Sequence, residues 1–126
     1  MGNPSISGTG ETIRLGEIAH ARSGDKGYDA NVGVVAFTQA GYRFLVDSLT
    51  SGRVQEFFRP LGVRRVDRYE LPRVGALNFV LHDALAGGAS GSLRIDTQGK
   101  LLGTAMLELP LPRPANLDAM TATTTP

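Results

Sequence analysis

The chain has 126 residues, 41% of them apolar, and 13 basic against 12 acidic side chains give a net charge of +1. One packed domain is expected from that length and composition. The absence of cysteine excludes disulfides, iron–sulfur ligation and thiol catalysis, and the lack of any long one-sign run argues against a nucleic-acid surface. The longest apolar run, Val34 to Phe37, is far too short to span a membrane. The first eleven residues have neither the basic start nor the apolar stretch of a leader, so a cytoplasmic protein is the expectation.

Residues 1–11 are rich in Gly, Ser, Pro and Thr and read as a flexible tail. Thr12 to His20 reads as a strand. Ile13 and Leu15 alternate, then the phase shifts to Ile18, with Gly16 as a bulge. Ala21 to Ala30 is a polar, glycine-punctuated loop, and Asn31 to Thr38 is a second strand, apolar on both faces. Gln39 to Gly62 reads as two helical pieces. Tyr42, Leu45, Val46 and Leu49 keep helical spacing, and Val54, Phe57, Phe58 and Leu61 repeat it. Thr50-Ser51-Gly52 separates the pieces, and Thr50 or Ser51 supplies the cap.

Val63 to Leu71 reads as a third strand, ended by Pro72. Ala76 to Ala86 fits an amphipathic helix with the stripe Leu77, Val80, Leu81, Ala84 and Leu85. Asn78 falls near its start and His82 on its flank. Ser90 to Asp96 and Lys100 to Leu109 read as the last two strands, joined by a Thr97-Gln98-Gly99 hairpin loop. The Pro-rich and Thr-rich segment 111–126 reads as a second flexible tail, leaving 12–110 as the folded domain. The expected architecture is a two-layer α+β sandwich, one sheet of about five strands with the helices on one face. Its other face is left for solvent, a second copy or a partner.

The chemistry gathers between His20 and Asn31. Gly24, Asp25, Lys26 and Gly27 make a turn whose backbone N–H groups can face an anion, with Lys26 as a point charge and Arg22 as a planar fork. The plainer reading of the same residues is a salt-bridged surface turn. No Walker A or dinucleotide fingerprint is present, so a carboxylate or a CoA-type phosphate is the expected anion. His20 is an acid–base group, a metal ligand or a structural hydrogen-bonder. Ser23 lacks the surroundings of a nucleophile elbow. Asn78 is a cap or a ligand contact. With two histidines and no suitable spacing among Glu17, Asp25 and Asp29, neither a metal nor another cofactor is expected.

Three blocks then resemble one family. His20-Ala21-Arg22-Ser23-Gly24-Asp25-Lys26-Gly27 with Asn31-Val32-Gly33-Val34 is similar to the hallmark of the AtuA-like ferredoxin-fold domain. Ala76 to His82 with Ala84 to Gly88, and Ser92 to Asp96 with Gly99-Lys100, support it. The resemblance spans about Thr12 to Leu109 and implies a ferredoxin-like sandwich. It also implies an accessory domain or small subunit in acyl-CoA or acyclic terpenoid-type catabolism. That domain would bind a larger AtuA-type domain on a separate chain, or itself as a homo-oligomer. The residues expected to hold a CoA thioester or carboxylate come from the residue chemistry itself, His20, Arg22, Ser23, Gly24, Asp25, Lys26, Gly27, Asn31 and Asn78, and the resemblance carries over no catalytic residue. The alternatives are an independent small enzyme on an acyl-CoA or carboxylate, with His20 or Asp25 as base, and a non-catalytic ligand-binding module.

Overall fold

The computed structural model describes residues 11–27, 29–84 and 98–121, the side chains of 25, 26 and 98–101 aside. Ser90 to Asp96, expected as a strand, lies outside the described residues. The elements in order are β1 (Thr12–Arg14), β2 (Ala19–Lys26), β3 (Asp29–Ala36), α1 (Gln39–Ser48), α2 (Ser51–Phe58), β4 (Arg65–Leu71), β5 (Ala76–His82), α3 (Gln98–Met106) and β6 (Pro110–Pro112). Four strands form one antiparallel sheet in the order β2-β3-β5-β4, and β1 pairs with β6 in a separate ribbon.

The helical pair forms as its spacing and caps dictate. Thr38 Oγ1 accepts from Gly41 N at 3.0 Å and Thr50 Oγ1 from Arg53 N at 3.1 Å, so each helix begins on a threonine cap. Gly62, at φ 90°, closes the short 3-10 turn after α2, where a Cβ would be strained. Leu45, Leu49, Val54 and Phe58 face inward and are buried. Against them stand Val32, Val34, Leu77, Phe79 and Leu81 from the two central strands, all fully buried. Phe79→Ala at such a position costs about 3–5 kcal/mol.

Two expected elements change type. Ala76 to Ala86 does not begin as a helix: Ala76–His82 is the central strand β5. Leu77, Phe79 and Leu81 are fully buried while Asn78, Val80 and His82 face the other way, a period of two. Leu77 and Leu81, four apart, satisfy both periods while Val80 fits only the helical one, and pairing on both sides, to β3 and to β4, decides for the strand. Conversely, Lys100 to Met106 belongs to α3 rather than to a strand, with Leu102 and Met106, four apart, buried. Gln98 and Gly99 open that helix instead of a hairpin loop.

The first strand also divides. β1 stops at Arg14, and Leu15–Glu17 make a 3-10 turn in which Arg14 N donates to Glu17 Oε2 at 2.9 Å. Gly16 is thus part of a turn rather than a bulge. Its N–H donates to Leu107 O at 2.9 Å, and a Cβ there would meet Leu107 Cβ at 3.3 Å. The ribbon seals this junction: Ile13 pairs with Leu111, and Leu15 N donates to Leu109 O at 2.9 Å. The segment beyond Pro110 is therefore not a free tail as far as residue 121. Leu111 and Met120 are buried, and Thr38 Oγ1 donates to Ala119 O at 2.8 Å.

The strand order is that of a ferredoxin-like βαββαβ sandwich with its last strand moved to the front. β3 and β4 run parallel, joined through α1 and α2, with β5 between them. β5 leads to α3, and the strand that would then close the sheet, β2, has already been laid down. The β1–β6 ribbon ties the C-terminal end of the domain back to the start of β2. All three helices contact the strands of the sheet, and the core lies on that side.

Candidate functional site

The loop expected from Ala21 to Ala30 is a hairpin. β2 and β3 pair residue by residue from Ala19↔Ala36 to Lys26↔Asp29, which leaves two residues to turn the chain. Gly27 takes φ 66° there, the left-handed backbone that a two-residue hairpin turn demands. Gly24 sits within the ladder opposite Asn31. Its backbone follows the strand, so Gly24 to Gly27 do not form a nest of converging N–H groups. The plain reason is that alternation through Ala19, Ala21 and Ser23 lets the chain continue as strand beside β3.

Register then sorts the expected site residues onto two faces. His20, Arg22 and Gly24 alternate along β2, Asn31 and Gly33 along β3, and Asn78 lies on β5 opposite Gly33. All six occupy the sheet face away from the helices. Asn78 is thus a mid-strand residue, not a helix start. Ser23 belongs to the other face, where its Oγ accepts from Gly103 N of α3 at 3.1 Å. It holds a helix rather than facing a ligand on the open side. Asp25 and Lys26 stand in β2 opposite Ala30 and Asp29, Lys26 at a position on the open face and Asp25 at one on the helix side.

The open face is a shallow trough crossed by side chains. A line across the sheet runs Arg22, Gly33, Asn78, Tyr69, and the next line runs Gly24, Asn31, Val80, Asp67. The two glycines leave the floor low. Asn78 Oδ1 lies 3.7 Å from where a Gly33 Cβ would stand, and Asn31 Oδ1 lies 3.7 Å from that of Gly24. Both amides therefore lean toward β2, the strand that carries Arg22. A guanidinium fork and two amides can together grip a carboxylate or phosphate.

The two ends of the face differ in kind. At the end away from the hairpin turn, Phe37 (39% exposed) stacks on His20 with ring centroids 6.0 Å apart. Leu71 (45%) and Val74 (65%) continue that apolar end, and Tyr69 (52%) borders it. At the other end is an ion cluster that no sequence pattern indicates. His82 Nε2 lies 2.8 Å from Asp67 Oδ2 and its Nδ1 lies 3.5 Å from Asp29 Oδ2. Arg65 also reaches Asp67 at 3.3 Å, and Asp29 Oδ1 accepts from Asp83 N at 2.9 Å. The hydrogen bond from His82, then that from Arg65, holds the Asp67 carboxyl below the usual carboxylate range. His82 therefore leaves the helix flank on which the sequence reading puts it. The alternation Asn78, Val80, His82 is the signal that places it on the open face.

Two hollows of about 510 and 520 Å3 lie among helix and C-terminal residues such as Phe57, Pro110, Phe44 and Met120 and contain none of the expected site residues. A smaller one of about 400 Å3 includes Arg22 and Ser23 at the edge of β2 beside Gly103. The open face is the candidate site because five expected residues, His20, Arg22, Gly24, Asn31 and Asn78, share it beside Gly33. Among the described residues, no group of three or more His, Cys, Asp or Glu side chains could hold a metal ion. No helix among them is long and apolar enough to cross a membrane.

A permuted ferredoxin-like sandwich with a polar open sheet face defines the class of protein. The chain belongs to the AtuA ferredoxin-like domain family, whose model matches residues 13–112. That match runs from one strand of the β1–β6 ribbon to the other. No curated protein and no solved structure matches the chain.

Proposed function

We propose that this domain is an accessory ligand-binding unit that holds an anionic acyl compound, a carboxylate or CoA thioester, on its open sheet face. The observation that carries the reading is the meeting of Arg22, Asn31 and Asn78 from three adjacent strands above the side-chain-free floor of Gly24 and Gly33. Arg22 supplies charge, the amides supply direction, and the apolar end around Phe37 and Leu71 suits a branched hydrocarbon tail. The resemblance to acyclic terpene utilisation proteins supplies the substrate class, acyl-CoA or terpenoid-type catabolism. In that setting the domain works beside a larger AtuA-type chain that performs the chemistry.

Calorimetric titration of short branched carboxylates and their CoA thioesters tests this. Arg22→Ala should weaken binding at least about tenfold, roughly 1.4 kcal/mol, and leave the melting temperature unchanged, because the side chain is exposed. Equal binding by wild type and Arg22→Ala would return Arg22 to an ordinary surface cation.

A further inference from the structure

We infer that a second copy of this chain covers the open sheet face and roofs the trough, placing the partner subunit's Tyr69 over Arg22. The inference rests on the ligand-site reading only for what the roof encloses; the interface itself follows from the shape and chemistry of the face.

One end of the open four-stranded face exposes Phe37, Tyr69 and Leu71 together, with Val74 exposed in the adjoining turn, an apolar patch rimmed by polar residues of the kind that marks an interaction site. Two such sheets pack face to face with their strands roughly aligned, about 10 Å apart. A two-fold axis lying in the interface can run along the strands or across them. Across the strands, it would lay the apolar end of one copy on the ion cluster of the other and bring the Arg22-bearing β2 edges together. That buries charge against hydrocarbon.

Along the strands, each line of the grid meets the same line reversed, so β2 of one copy lies over β4 of the other. The apolar ends then meet. Arg22 meets an exposed aromatic ring, a favourable cation–π arrangement, with an Asp67 carboxylate one line further on. Gly24, opposite that carboxylate, leaves it room. The face is about 14 Å by 20 Å between its outermost rows, and border side chains widen it to on the order of 500–600 Å2 per copy. Two copies bury about 1,100 Å2, near the lower limit for a specific interface, which fits a reversible dimer.

The absence of cysteine makes the test clean. Each variant carries a single thiol, and within one chain Arg22 and Tyr69 stand on the two outer strands, about 14 Å apart. Arg22→Cys and Tyr69→Cys proteins, mixed and treated with a short bis-maleimide that spans the roughly 10 Å between facing sheets, should give mainly the mixed covalent dimer. Sedimentation of the unmodified chain should show a concentration-dependent dimer, and Leu71→Asp should shift it to monomer. Leu71→Asp keeps its value as a control if its circular dichroism matches wild type; the crosslinks decide independently. Dominant crosslinking of the Arg22→Cys protein to itself, or a monomer at several hundred micromolar, would overturn the inference. A monomer that still binds carboxylate refutes the roof and keeps the ligand site. Formation of the mixed covalent dimer, with an unmodified dimer that binds no carboxylate, keeps the interface and refutes the ligand site.

Discussion

Asp67 Oδ2 and His82 Nε2 lie 2.8 Å apart on neighbouring strands, Asp67 on β4 and His82 on β5. Asp67 is thereby more acidic in the folded chain than in the unfolded one. Such a group stabilises the fold above its unfolded pKa, near 3.9, and that contribution disappears as pH falls through the lower folded value. Between those two values the unfolded chain binds more protons, so stability rises with pH. Thermal melts from about pH 2 to 6 should show a steeper acid loss in wild type than in Asp67→Asn. Parallel curves would show that the contact carries no linkage.

α3 approaches β2 at a glycine. A Cβ on Gly103 would stand 2.9 Å from Ser23 Oγ and 3.3 Å from Ser23 Cβ. Alanine favours a helix over glycine by about 1 kcal/mol, yet here the clash should dominate. Gly103→Ala is expected to destabilise by about 1–3 kcal/mol in urea, and Gly103→Ala with Ser23→Gly should recover part of it. A more stable Gly103→Ala would mean that α3 shifts freely on the sheet.

Tyr42 buries its ring under α1, and its hydroxyl has no hydrogen-bond partner among the described residues. Burial first, then the nearby Glu70 carboxylate, pushes its ionisation up, with Arg68 opposing. An unsatisfied buried hydroxyl costs about 1–3 kcal/mol. Tyr42→Phe should therefore raise the melting temperature or leave it unchanged. A loss above about 1 kcal/mol would reveal a partner for that oxygen.

Gly33 separates stability from binding. It sits in an ordinary strand, and an added Cβ meets only Asn78 Oδ1, at 3.7 Å. Alanine fits there and removes the entropy cost of glycine, about 0.5–1 kcal/mol. Gly33→Ala should be as stable as wild type or more so, with weaker carboxylate binding because the trough floor rises. Stability falling together with binding would give Gly33 a purely structural role.

The candidate site was partly legible because polar residues alternate. His20, Arg22 and Gly24 skip every second position, and Asn31 and Gly33 do the same, so strand geometry delivers them to one face. The α1–α2 pair was legible through its stripe and the cap at Thr50. β5 was not, since Leu77, Val80 and Leu81 keep helical spacing, and the strand alternation of Leu77, Phe79 and Leu81 wins only once β5 pairs with β3 and β4. α3 failed for the converse reason: Leu102 and Met106, four apart and both buried, share one face of a strand as readily as one of a helix, so the strand reading absorbs them. The cluster of Asp29, Asp67 and His82 joins residues from three strands, and no local pattern announces it. Leu111 and Met120 looked like parts of a tail because a single apolar anchor in a Pro-rich segment gives no periodicity.

The most direct test is backbone and side-chain amide NMR during titration with a short branched carboxylate. The account predicts saturable shifts of the Asn31 and Asn78 side-chain amides and of the Gly24 and Gly33 backbone signals, lost in Arg22→Ala. Shifts confined to the hollow around Thr50, Phe57 and Pro110, with the open face silent, would contradict it.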